Sequence, residues 1–240
     1  MPDTIRLSTL ADRHPLLQRP LTAVLTTVLP DRRLQSNPVW FVWDRQRLLF
    51  STMRECAKAR NLRRCRAVTL LVVNPDDTND WVEVRARVSI EEEGAQDLLD
   101  DIGYRYTGLR PCFGQVVSAH LATTEHPITC RLEPVAVATP PAIPLAGRTA
   151  ALPTSPTRPS PPARPGPDCC ALEAALPADH LDLLDAPVVA AFATRLPSGF
   201  CQTQPVWCAR DGNDILVNTT LQRRKGRLHP RAVHCDAIHR

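Results

Sequence analysis

The tripeptide Pro38-Val39-Trp40 recurs 167 residues later as Pro205-Val206-Trp207, and this repetition decides how the chain is organised. At the same offset, residues 12–60 align with residues 179–227 without a gap, and about a third of the aligned positions are identical. Other identical pairs are Leu16/Leu183, Leu17/Leu184, Pro20/Pro187, Ala23/Ala190, Thr27/Thr194, Pro30/Pro197, Gln35/Gln202, Lys58/Lys225 and Arg60/Arg227. The sequence therefore predicts one folding unit encoded twice.

The first copy has the pattern of a β meander with short helices. Aliphatic and β-branched runs separated by short polar breaks predict strands at Leu21–Val28, Val39–Trp43, Arg47–Thr52, Ala67–Val73, Trp81–Ile90 and Ile128–Val137. Good helix formers predict helices at Glu55–Arg64 and Glu93–Tyr104. Together these elements predict a mainly β fold, a five- or six-stranded barrel over residues 12–137.

Residues 138–168 form a proline-rich linker in this interpretation, because ten of the residues from Pro140 to Asp168 are proline. The second copy, residues 169–240, is predicted to be truncated. Beyond Arg227 it matches only if two residues are dropped, so that Val233 corresponds to Val68, and the polar residues from His234 onward replace a strand. Nothing in it corresponds to Asn74–Val137. Because a barrel without its last strands has unpaired edges, we expect this copy to be partly ordered or completed by another surface.

Both hairpin turns of the first copy lack the glycine that a left-handed position favours. They contain Asp31-Arg32-Arg33 and Asp44-Arg45-Gln46, whereas the second copy has Gly199 and Gly212. We expect the turns of the first copy to be longer or strained.

Composition excludes several classes of protein. Hydrophobic residues make up 43% of the chain, the net charge is +4, and no apolar run approaches the ~20 residues of a membrane span. We expect a cytoplasmic protein without a membrane partner.

The nine cysteines include no C-x-x-C pair, which argues for free thiols rather than disulfides or a zinc ribbon. A metal site at His229, His234, Cys235 and His239 is the alternative, but their spacing fits no strong motif.

The basic residues are 27 arginines and only two lysines, Lys58 and Lys225, which occupy the same repeat position. Lysine is a compact point charge suited to phosphate. Ser51 and Thr52 precede the predicted helix that carries Lys58 and Arg60, so hydroxyls, helix amides and cations are predicted to converge on one anion. The alternative is a solvated basic helix face, formed by Arg54, Lys58, Arg60, Arg63, Arg64 and Arg66, with nothing bound. Nucleic-acid binding by this face would rest on charge alone, and we do not expect it.

An ordered set of motifs resembles the pyridoxamine-phosphate-oxidase-like (PPOX class) split β-barrels, especially the branch that uses a deazaflavin coenzyme. The motifs are Ala23-Val24-Leu25-Thr26-Thr27, Ser36-Asn37-Pro38-Val39-Trp40-Phe41, Leu49-Phe50-Ser51-Thr52, Ala57-Lys58-Ala59-Arg60-Asn61-Leu62-Arg63-Arg64 and Val82-Glu83-Val84-Arg85-Ala86-Arg87-Val88. The resemblance covers residues 12–137. It implies an FMN-binding-like split barrel, duplicated here with an incomplete second copy.

The resemblance also implies a function. The coenzyme would be deazaflavin F-420 or, alternatively, FMN, and the protein would be an oxidoreductase that transfers hydride to or from a small molecule without a protein nucleophile. The implied phosphate-binding residues are Ser51, Thr52, Lys58, Arg60 and Asn61, and the implied ring-binding residues are Asn37, Pro38, Val39 and Trp40. Thr219, Lys225 and Arg227 are their counterparts in the second copy. Family members are usually dimers with the coenzyme near the interface, so a homodimer or an intrachain pseudo-dimer is implied. The alternative is a degenerate tandem protein that binds the coenzyme without catalysis.

Overall fold

The computed structural model of the protein describes residues 15–44, 47–140, 181–186, 188–211, 214–217 and 233–237. Its fold is mainly β, as predicted, with two antiparallel sheets and short helices. The first sheet contains β1 (Ala23–Val28), β2 (Leu34–Val39), β3 (Val42–Trp43), β4 (Leu48–Met53), β5 (Ala67–Asn74), β6 (Asp77–Glu91) and β7 (Pro127–Ala138). Its strand order is β2-β1-β5-β6-β7-β4-β3.

The first sheet curls into a half barrel around one hydrophobic core. Side chains from strands distant in the sheet order, such as Leu25 on β1 and Phe50 on β4, belong to a single buried cluster. The cluster also contains Leu17, from a 3-10 turn over Pro15–Gln18, and Leu62 from the first helix. Curling is what brings these elements together, and burial of the shared cluster favours the barrel.

The sheet has seven strands rather than the predicted five or six, because β2 was not predicted from Leu34 to Pro38. This strand is mostly polar, and Pro38 lies inside it opposite Val24. Proline is tolerated there because β2 is the edge strand of the sheet. The predicted strand at Val39–Trp43 corresponds to the end of β2 and the two residues of β3.

Three α-helices are present in the described residues, α1 (Ala57–Arg64), α2 (Ala95–Thr107) and α3 (Leu181–Asp185), and a π-helical segment covers Cys112–Val116. The first two agree with the predicted helices to within a few residues. Helix α2 ends at Gly108, whose φ of 74° lies in the left-handed region that glycine adopts at low cost. A second 3-10 turn covers Ala119–Thr123. No helix in the described part of the chain is both long and apolar enough to cross a membrane.

The second sheet contains β8 (Val189–Arg195), β9 (Cys201–Asp211), β10 (Asp214–Val217) and β11 (Val233–Ala237), in the order β10-β9-β8-β11. The expectation that polar residues from His234 onward replace a strand is wrong, because Val233–Ala237 pairs with β8. Strand pairing uses backbone amides, which polar side chains do not prevent. Most of the predicted linker, together with Thr219, Lys225, Arg227, His229 and His239, lies outside the described residues.

The central strands of the barrel are buried on both faces. All six residues of β1 are buried: Ala23 and Leu25 face the barrel core, whereas Val24 and Val28 contact residues of the second sheet. Since successive strand residues point to opposite faces, the second sheet must cover the outer face of β1. The two sheets therefore pack face to face.

The turn between β1 and β2 is strained, as its composition predicts. Arg32 has a φ of 70°, a left-handed conformation that costs a residue with a Cβ about 1–2 kcal/mol. Asp31 supports the turn by accepting a hydrogen bond from the Arg33 amide and pairing with the Arg33 guanidinium. At the equivalent repeat offset, Gly199 has a φ of 85°. Residues 45 and 46 of the other predicted turn are not described.

Tyr106 on α2 holds the bend between β2 and β3. Its hydroxyl lies 2.8 Å from the Leu21 carbonyl oxygen and 3.1 Å from that of Phe41, and it accepts a hydrogen bond from the Phe41 amide at 3.1 Å. Burial raises the pKa of the Tyr106 hydroxyl. This single side chain therefore ties the helix to two backbone segments.

We expect Arg32→Gly to stabilise the protein by about 0.5–1 kcal/mol, because the relief of left-handed strain exceeds the added entropy of an unfolded glycine. Chemical denaturation measures the change. Gly199→Arg is the matched control and should destabilise the protein. Equal effects of the same sign from both substitutions would contradict the assignment of strain.

Tyr106→Phe should destabilise the protein by about 1–3 kcal/mol, because it removes the hydrogen bonds of a half-buried hydroxyl while keeping the ring. Tyr104→Phe on the same helix should leave stability unchanged, since Tyr104 is exposed. Urea unfolding followed by tryptophan fluorescence compares the two variants. A larger loss of stability in Tyr104→Phe would refute the anchoring role.

Candidate coenzyme-binding site

The N-terminus of α1 presents free backbone donors directly after β4. The first amide bonded within the helix is that of Arg60, which donates to the Cys56 carbonyl oxygen at 3.3 Å. No side chain of a described residue caps the helix at Cys56. The amides of the first turn and the positive end of the helix dipole are therefore available to an anion.

Lys58 lies in this first turn and is half-buried. Desolvation lowers the pKa of its ammonium below the usual value, an effect that Cys56 and Cys130 oppose. Burial raises the pKa of Cys130 to about 12, although Lys58 and Arg63 pull it down, so this thiol is neutral at pH 7. Within the described residues Lys58 has no hydrogen bond and no ion pair. A half-buried cation without a counterion favours the binding of an anion.

The arginines of α1 differ from Lys58 in being bonded to the backbone. Arg60 donates to the Glu55 carbonyl oxygen at 2.7 Å, and Arg64 donates to that of Val28 at 2.9 Å. Arg63 makes a longer bond, 3.4 Å, to the carbonyl oxygen of Arg54. These exposed arginines fit the alternative of a solvated basic face, and Lys58 does not.

Ser51 and Thr52 lie on opposite faces of β4. Thr52 is buried on the same side as Phe50, which belongs to the barrel core, and it pairs with Ile128 of β7. Ser51 points the other way and donates to the Ile128 carbonyl oxygen at 3.4 Å. The Thr52 hydroxyl has no hydrogen bond within the described residues. Of the two predicted hydroxyls, it is therefore the one whose hydrogen-bonding capacity is unused.

Asn61 joins α1 to β2. Its buried side-chain amide donates to the Gln35 side-chain oxygen at 2.9 Å. Asn37 follows on the same face of β2, and its half-buried amide makes no hydrogen bond to a described residue. Val39, next on this face, is part of the barrel core, whereas Pro38 lies on the opposite face. Of the predicted residues on β2, only Asn37 therefore offers an unused polar group on the side of α1.

Trp40 stacks on Tyr106, with ring centroids 4.8 Å apart and an angle of 10° between the ring planes. The side chain of Trp40 is 37% exposed. Because Tyr106 is fixed by the backbone, the indole is held in one orientation. The candidate site thus has a cationic residue, Lys58 on α1, and an aromatic residue, Trp40, which directly follows β2.

Two supporting residues were not predicted, Gln35 and Cys130. The identity of Gln35 with Gln202 across the repeat was the available signal for the first, and the sequence held no signal for the second. Thr219, Lys225 and Arg227 remain predictions. In the part of the chain that the structure describes, no group of three or more His, Cys, Asp and Glu side chains is placed to hold a metal ion.

A solved F420 reductase is 30% identical, covering 51% of this chain and 93% of that chain with a TM-score of 0.45. A conserved hypothetical protein from Mycobacterium tuberculosis is 21% identical over 62% of this chain and 98% of its own, TM-score 0.45. A pyridoxamine 5'-phosphate oxidase-related, FMN binding protein from Nostoc punctiforme PCC 73102 is 14% identical over 51% and 74%, TM-score 0.36. No curated protein matches.

The family model described as pyridoxamine 5'-phosphate oxidase matches residues 12–116, which include β1 to β6, α1 and α2. This range contains every predicted site residue of the first copy. The seven-stranded half barrel is the fold expected of that family. The first barrel is therefore a pyridoxamine 5'-phosphate oxidase-like split barrel.

Proposed function

We propose that this protein is an oxidoreductase that binds a phosphorylated deazaflavin or flavin coenzyme at α1 and β2 and transfers hydride between it and a small molecule. The observation that carries the proposal is the half-buried Lys58 ammonium, which has no counterion among the described residues and lies beside the uncapped N-terminus of α1. The family match of residues 12–116 supports a coenzyme of this class.

The donors present fit a phosphate ester. Lys58 would supply the charge, and the amides of the first turn of α1 would donate to the phosphate oxygens. The free hydroxyl of Thr52 adds a neutral donor, and the exposed guanidinium of Arg60 adds a second cation at the rim. Asn61 would contribute indirectly, by fixing α1 against β2 through Gln35.

The ring system would lie along β2, where Asn37 offers hydrogen bonds and Trp40 offers an apolar face. A flavin or deazaflavin supplies the hydride acceptor or donor, so the protein has to bind and orient it rather than provide a nucleophile. Tyr106 is a positioning residue here, because its hydroxyl is engaged by the backbone at Leu21 and Phe41. The preference for a deazaflavin over FMN as the coenzyme rests on the resemblance of the sequence motifs.

Replacing Lys58 tests the proposal directly. We expect Lys58→Met to weaken the binding of F-420 or FMN about 10- to 100-fold, the value of one charge-assisted hydrogen bond. Riboflavin, which lacks the phosphate, should bind both proteins equally. Fluorescence titration of the full chain measures the affinities, and Arg63→Met, which removes an exposed cation from the same helix, is the matched control. Absence of micromolar binding of either coenzyme to the wild type would refute the proposal.

Coenzyme affinity should also depend on pH through Lys58. Because burial lowers its pKa below 10.5, the ammonium loses its proton at a lower pH than an exposed lysine. Affinity for the phosphorylated coenzyme should therefore fall as the pH rises through that lowered pKa. Lys58→Arg keeps its charge over the same range and should show a flatter profile. Identical profiles for the two proteins would exclude Lys58 as the titrating group.

Coenzyme binding and catalysis can be measured separately. Reduced coenzyme bound to the full chain should be reoxidised faster by an unsaturated acceptor than free coenzyme is, as followed by absorbance. Coenzyme binding without any acceleration over a panel of acceptors would instead favour the non-catalytic alternative.

A further inference from the structure

The outer face of the first barrel is covered by the second sheet through small side chains. Ala193 and Cys201 pack against Val28 and Leu34 in one buried cluster. Ala191 packs against Val24 and Leu71 in another buried cluster, which Val73 and Trp81 also contact. Small residues on β8 and β9 allow the two sheets to approach closely, so the contact is a packed interface.

Buried hydrogen bonds cross the same interface. Thr26 and Thr203 join hydroxyl to hydroxyl at 2.8 Å, and the Thr69 hydroxyl donates to the Cys201 carbonyl oxygen at 2.8 Å. The Thr203 amide donates to the Glu83 carboxylate at 2.7 Å. Glu83 is fully buried and also forms an ion pair with Arg85 at 3.0 Å. Burying a carboxylate is costly unless it is paired and hydrogen-bonded, so the second sheet satisfies a group that the first barrel places on its outer face.

The two sides of the interface use equivalent positions of the repeat. The 167-residue offset relates Val24 to Ala191, Thr26 to Ala193, Leu34 to Cys201 and Ser36 to Thr203, and these residues lie in the interface clusters or its hydrogen bonds. Thr26 accordingly bonds both to Ser36 within its own sheet and to the counterpart of Ser36 in the other. A self-complementary contact of this kind is the mark of a two-fold interface.

The strand contacts have the same reciprocity. β9 lies against β1 and β5, and β2 lies against β8 and β11. The order β9-β8-β11 repeats the order β2-β1-β5, and the pair Ala190 and Val206 repeats the register of Ala23 and Val39. Pairing of Val233 with Thr194 fits the same scheme once the two-residue deletion is applied. The interface therefore relates two halves by an approximate two-fold axis.

We infer that the second sheet is a partial copy of the first barrel that occupies, within the same chain, the face on which a second subunit would dock. The chain is then an internal dimer. Its β1, β2 and β5 face is closed by its own strands β8, β9 and β11 and is not available to another copy. This inference stands on the interface contacts and does not require the proposed function.

A disulfide across the interface tests the inference on the full chain. The Thr26 and Thr203 hydroxyl oxygens are 2.8 Å apart, so thiols in their place in the double variant Thr26→Cys/Thr203→Cys should oxidise to a disulfide within one chain. Thr27→Cys/Thr203→Cys is the matched control, because Thr27 lies on the opposite face of β1, where its hydroxyl is close to the Gln35 carbonyl oxygen. The control should form no such link.

Non-reducing electrophoresis with peptide mapping distinguishes the outcomes. A link between positions 26 and 203 in a single-chain band is expected. The same link in a two-chain band, or a yield no higher than that of the control, overturns the inference. If the double variant does not fold, the mass of the wild type in solution decides instead. One chain is expected, and a stable two-chain particle overturns the internal dimer.

Discussion

Strand β1 has no face exposed to water, and the rest of the structure is arranged around that constraint. Its inward side chains Ala23 and Leu25 belong to the barrel core, and its outward side chains Val24, Thr26 and Val28 are covered by the second sheet. A strand buried on both faces is stabilised by the burial of apolar side chains on each face. It also needs every polar side chain satisfied, which is why Thr26 is bonded on both sides.

The candidate site lies where β1 and β2 meet α1. Arg64 donates to the Val28 carbonyl oxygen at the end of β1, and Asn61 donates to Gln35 on β2. These two bonds hold the helix across the strands, so that its first turn and Lys58 have a fixed position. The arginines of this helix donate to backbone carbonyl oxygens, whereas Lys58 has no hydrogen bond within the described residues.

Helices α1 and α2 and the long strands of the first sheet are predicted correctly because each leaves a local signal in the sequence, and a local signal also singles out Lys58 as a candidate. Hydrophobic alternation marks β6, and the scarcity of lysine marks Lys58. Prediction from the sequence failed where the signal is not local. β2 contains Gln35, Ser36, Asn37 and Pro38, and its strand conformation depends on pairing with β1. The resemblance implies a phosphate role for Asn61, whereas its hydrogen bond to Gln35 depends on a partner on β2 that no local pattern indicates.

Glu83 is a second residue whose surroundings the local sequence does not indicate. In the alternating stretch Val82-Glu83-Val84, a carboxylate between two core residues is expected to face solvent. It is instead fully buried, because a segment 120 residues later in the chain covers it and donates an amide to it. No local pattern contains this information. Only the repeat, read as two halves of one interface, points toward it.

The Thr26 hydroxyl makes two hydrogen bonds, one within its own sheet and one to the second sheet, and the directions of these two bonds are coupled. A hydroxyl has one proton, so Thr26 can donate either to Ser36 or to Thr203 and must accept from the other. The three hydroxyls therefore form a chain of dipoles with two possible directions, and reversing one member reverses its neighbours. Ser36 lies on the first sheet and Thr203 on the second, so the direction of this chain is shared across the interface.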